Sequence, residues 1–151
     1  MTLIARNDGY SGMQGDNVVR EATFVVALPG SRIPPGATQV TASSGNVANA
    51  SAAAALPAVA GKTNYVTGIT ITAGGATAAA LVNATLTGVI GGTMTYTFGT
   101  PVGATVAATP FTFQFYPPVA ASAVNTAITL TLPALGAGNT NAAVTIQGFV
   151  V

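Results

Sequence analysis

The sequence has no cysteine, no histidine and no tryptophan, and only four basic and three acidic side chains among 151 residues. Without cysteine there is no disulfide framework and no thiolate ligand. Without histidine there is no imidazole ligand and no side chain that titrates near neutral pH. Soluble domains are typically about 25% charged, whereas this chain is 5% charged. The charges are Arg6, Asp8, Asp16, Arg20, Glu21, Arg32 and Lys62, and none follows Lys62. Sparse charge promotes association, so the composition points to a subunit that covers much of its surface against copies or partners.

The same scarcity removes whole classes of function. Nucleic-acid binding draws on several Lys or Arg that replace condensed counterions, and a net charge of +1 with no basic stripe cannot supply them. The longest low-polarity run, Ala48–Gly61, is mostly alanine and contains Ser51 and Pro57. It falls short of the roughly 20 apolar residues of a membrane span. The opening MTLIARNDGYSG has no basic region followed by an apolar one, so the expectation is synthesis and use without Sec export.

Catalysis has few candidate groups. The only carboxylates are Asp8, Asp16 and Glu21, and a paired-carboxylate hydrolase needs two of them at fixed separation on rigid elements. A serine nucleophile would have to use Lys62 as its base, and no serine sits in a supporting motif. Asp8 and Asp16 with Asn7 and Asn17 lack the 12-residue EF-hand spacing and read as solvation of a loop. Gly136-Ala137-Gly138 has no Lys-Ser or Lys-Thr after it, so it is not a phosphate loop. The expectation is a non-enzyme with no catalytic residue, cofactor or metal. The sequons at Asn49 and Asn83 are read as accidental in a chain that is not exported.

What the chain does contain is apolar residues (50%), 18 glycines and 9 prolines. Glycines 9, 12 and 15 among polar residues make the first 20 residues an irregular or extended arm. Ala22–Leu28 reads as a short strand ended by Pro29-Gly30, and Gln39–Thr41 as an edge strand. Val47–Leu56 reads as a strand of small side chains, although alanine favours helix. Further strands are expected at Tyr65–Thr72, Leu81–Val89, Thr93–Phe98, Phe111–Tyr116, Ala127–Leu132 and Ala142–Val150. Gly and Pro turns separate them, which is the pattern of a sandwich or barrel. Ile90-Gly91-Gly92 should turn an antiparallel hairpin.

Alternation assigns the faces. Met94, Tyr96 and Phe98 share one, as do Phe111, Phe113 and Phe115, Ile128, Leu130 and Leu132, Val144, Ile146 and Val150, and Ile69 with Ile71. These sets should fill the space between two sheets. The opposite faces carry Thr-x-Thr units at Thr70/Thr72, Thr85/Thr87, Thr93/Thr95/Thr97 and Thr129/Thr131. Threonine arrays of this kind order water in ice-binding proteins, but the units here recur irregularly. They read instead as the polar residue suited to a charge-free sheet face.

Two stretches carry a resemblance. SGNVANASAAAALPAVAGKTNYVTGITIT (Ser44–Thr72) and NTAITLTLPALGAGNTNAAVTIQGFVV (Asn125–Val151) resemble the β-sandwich domain of tailed-bacteriophage virion proteins, notably capsid decoration (cement) proteins and head fibres. The likeness covers Ser44 to Val151 and is compositional. It implies a jelly-roll-like domain, often trimeric, that sits on the capsid surface and bridges neighbouring major capsid proteins. Gly61-Lys62-Thr63 then leads into a strand and is not a nucleotide site.

The expectation is therefore an all-β protein, with an extended N-terminal arm over 1–40 that includes a short strand and anchors to the capsid, and a jelly-roll-like β-sandwich over 41–151. Charge segregation nominates Arg6, Asp8, Asp16, Arg20, Glu21 and Arg32 as the capsid contact. The expected partners are the major capsid protein and further copies of the chain, as a trimer. The expected location is the virion surface after synthesis in the host cytoplasm. The alternatives are a head or tail fibre or receptor-binding adhesin, and an ice-binding-type threonine array.

Overall fold

Strict alternation between buried aliphatic and outward threonine residues makes Ile128–Leu132 a strand, with Ile128, Leu130 and Leu132 fully buried and Thr129 and Thr131 partly exposed between them. The computed structural model describes residues 33–135 and 140–151, and alternation of this kind runs through much of their regular structure. Eight strands follow in chain order: β1 Thr38–Ser43, β2 Ala52–Leu56, β3 Asn64–Gly74, β4 Ala80–Thr87, β5 Met94–Thr100, β6 Phe111–Ala120, β7 Ile128–Leu132 and β8 Asn141–Val150. The described residues contain no helix.

Two four-stranded antiparallel sheets result, ordered β1-β8-β3-β6 and β2-β7-β4-β5. β1 pairs with β8, β2 with β7, β3 with β6 and β4 with β5. This nested pairing is that of one long hairpin folded over on itself, the jelly-roll arrangement. Between the sheets, Val66, Ile69, Ile71, Val144 and Ile146 of one meet Leu56, Leu86, Ile128, Leu130 and Leu132 of the other, all essentially without solvent exposure.

Small side chains dominate one edge of the second sheet. Ala52, Ala54 and Leu56 of β2 face inward and Ala53 and Ala55 outward. Alanine's helical preference amounts to less than ~1 kcal/mol per residue, and burial of the inward side chains with pairing to β7 overrides it. The strand is shorter than the expected Val47–Leu56: Val47 makes only an isolated bridge to Ala142, and Asn49 takes a left-handed φ of 55° between them. β6, conversely, runs four residues beyond Tyr116, through Pro117-Pro118. Proline lacks the N–H that an interior strand needs, and among the described residues β3 is the one strand that pairs with β6. β1 starts at Thr38, so the sandwich begins slightly before residue 41. The expected arm, the Ala22–Leu28 strand, the six charged residues from Arg6 to Arg32 and the Gly136–Gly138 loop lie outside the described residues.

A bulge changes the phase of β3. Val66 pairs with Gly148 and Gly68 with Gln147, leaving Thr67 as the extra residue. Asn64 and Val66 face inward before it, and Ile69, Ile71 and Ala73 after it. Gly148 lies against this irregularity, where an added Cβ would run into the Tyr65 carbonyl and approach Leu56 Cδ1 at 3.1 Å. Only a residue without a side chain fits there.

The stretches Ser44–Thr72 and Asn125–Val151 meet in a polar clamp. Asn64, 2% exposed, donates through Nδ2 to the Pro57 carbonyl at 2.9 Å and to the Thr126 carbonyl at 3.0 Å. The Gly61 amide donates to Asn125 Oδ1 at 2.6 Å, and the Asn125 amide donates to the Lys62 carbonyl at 3.0 Å. Asn125 holds a φ of 62° to do so, a conformation asparagine accepts better than most residues. Thr63 and Val151 exchange backbone hydrogen bonds beside them.

Asn64→Ala deletes two buried bonds and leaves two carbonyls without that donor. A loss of about 2–4 kcal/mol is expected in guanidinium unfolding, against about 1 kcal/mol for Asn125→Gly, which keeps the backbone conformation and loses one acceptor. Gly148→Ala is expected to cost at least the ~1–3 kcal/mol of an overpacked core in the same measurement.

Candidate functional site

Described residues contain no Asp, Glu, His or Cys, and Lys62 is their one charged side chain. No group of three metal-ligating side chains occurs among them. One cleft, of about 290 Å³, lies where Thr72–Gly75, Ala104–Ala107 and Asn141–Ala143 converge, and no titratable group lines it. A second, of about 340 Å³, lies over Ala79–Leu81 and Gly99–Pro101 at the edge of the second sheet. Neither assembles a nucleophile with a base. The candidate sites are therefore surfaces, and three are distinct.

The first is the outer face of the second sheet. Register places Ala53, Thr131, Thr85 and Thr95 in one row across all four strands. Ala55, Thr129 and Thr87 form the next row. Asn83 lies opposite Thr97 on the other side, with Thr97 Oγ1 donating to Asn83 Oδ1 at 3.2 Å. Spacing that is irregular along the chain thus becomes regular across the sheet. Neighbours in a row sit about 4.8 Å apart and alternate residues along a strand about 6.7 Å apart. Some hydroxyls turn back to the protein, as Thr87 Oγ1 does to the Thr129 carbonyl at 3.4 Å.

The second is the outer face of the first sheet, where Ser43, Thr145, Thr70 and Thr112 also form a row across all four strands. Thr145 Oγ1 and Ser43 Oγ lie 3.4 Å apart, and Thr72 lies opposite Ala143 in the adjoining row. On this face Tyr65 and Phe149 stack, with ring centroids 5.0 Å apart and planes 12° from parallel. Phe149 is 3% exposed yet stands outside the main core cluster. Alternation alone had placed only Val144, Ile146 and Val150 of β8 in the interior.

The third is the side of the sandwich where edge strands β5 and β6 approach each other. Tyr96 of β5 touches Phe111 and Phe113 of β6, with centroids at 5.6 and 6.0 Å, and Phe113 meets Phe115 edge-on at 5.0 Å. Phe111, Phe113 and Phe115 share a face, as alternation predicts. Their burial differs: Phe115 is inside, Phe111 is partly covered and Phe113 is 43% exposed. The expected all-core role of this run therefore holds only for its inner end, since among the described residues β3 is the one strand neighbour of β6. Tyr116 is 84% exposed. Burial raises the Tyr96 phenol above its ordinary value, and its hydroxyl lies 3.5 Å from Met94 Sδ.

Sequence reasoning missed the clamp, the in-register rows and the uncovered aromatics. All three depend on which strands become neighbours, and no single strand carries that signal. Comparison with known protein families, curated proteins and solved structures yields no match.

Because the folded state favours the neutral Tyr96 phenol, its contribution to stability is complete below pH ~10, the unfolded tyrosine value, and is lost as pH rises through the higher folded value. An absorbance titration at alkaline pH should show a phenolate component above 10 that Tyr96→Phe removes. An unchanged curve in the variant would contradict the burial of this ring.

Proposed function

We propose that this chain is a structural virion subunit that binds the outer surface of a capsid and reinforces contacts between major capsid proteins, without catalysis. The observation that carries the reading is a jelly-roll sandwich whose two broad faces present rows of threonine, serine and alanine with no ion among them. Such faces can be covered by a neighbouring protein with little desolvation cost, since a buried unpaired charge is expensive and these carry none. A stiff sandwich suits a part repeated many times over a shell under load. The resemblance of Ser44–Val151 to decoration and head-fibre proteins of tailed phages points the same way. In this reading the protein is made in the host cytoplasm, assembles as a homotrimer and resides on the virion surface. Arg6, Asp8, Asp16, Arg20, Glu21 and Arg32 make the ionic contact to the shell, because the rest of the chain has almost no charge to offer.

The in-register rows support a second reading, an ice-binding-type surface, since a flat array of evenly spaced methyls and hydroxyls is what that role requires. A head or tail fibre or an adhesin is the remaining alternative, which the exposed Phe113 and Tyr116 would serve.

The decisive measurement is binding to capsids that lack the protein, with shell rupture temperature as the second readout. Saturable binding that raises the rupture temperature is expected, and deletion of residues 1–20 should abolish binding while the remaining chain stays folded and oligomeric. Binding unaffected by the deletion would remove the proposed anchor. Absence of binding together with thermal hysteresis in cold solution would replace the virion reading with the ice-binding one.

A further inference from the structure

We draw no further inference here: the strongest candidate, the partly covered aromatic seam between β5 and β6 that holds Tyr96, Phe111 and Phe113, is an apolar surface patch, and nothing in the structure shows what covers it.

Discussion

The structure rests on contact between two aliphatic layers, with Val66, Ile69, Ile71, Val144 and Ile146 packed against Leu56, Leu86, Ile128, Leu130 and Leu132. Among the described residues nothing else offers comparable stabilisation, since they contain no disulfide, no metal-ligand cluster and no second charge to pair with Lys62. At roughly 25 cal/mol per Å² of apolar surface removed from water, burial must outweigh the ordering of the chain with little help. The few polar groups that enter the interior have partners. Asn64 is the clearest case, since its amide would be costly if unmet and instead ties two loops together.

The same economy shapes the outside. With threonine where other proteins carry lysine and glutamate, the outer faces of both sheets are ion-free among the described residues. A hydroxyl row crosses all four strands of the first sheet and three of the second, where β2 contributes alanine, which makes each face a surface suited to contact. The aromatic seam differs in kind, because there the core itself is left partly uncovered.

Much of the architecture was legible in the sequence because turn residues are punctual. Gly91-Gly92, Pro101, Pro110 and Pro133 bracket strands whose alternation is unambiguous, and the sets Ile128/Leu130/Leu132 and Ile69/Ile71 face inward as expected. The β4–β5 hairpin pairs as expected too. Legibility failed where pairing decides the outcome. Thr67 shifts the phase of β3, and no local feature of NYVTGITIT announces an extra residue there. β6 continues through two prolines where, among the described strands, it is the outermost of its sheet, a fact about its neighbours. The threonine units looked irregular along the chain because the strands that carry them differ in length and connection, and only register lines them up. The site residues nominated by charge, Arg6 to Arg32, belong to a stretch about which the sandwich itself gives no information.

The nesting of the strand pairs has a consequence for how the molecule comes into being. Among the described strands β1 has one neighbour, β8, and Thr38 meets Val150. During synthesis the first edge of the sheet therefore waits unpaired until Val150 has left the ribosome, while the β4–β5 hairpin can close at once. Joining distant segments costs loop entropy that a preformed inner hairpin shortens, so closure from the middle outward is the least costly order. A ribosome that stalls before β8 therefore releases a chain able to close its inner hairpin while β1 lacks its β8 partner.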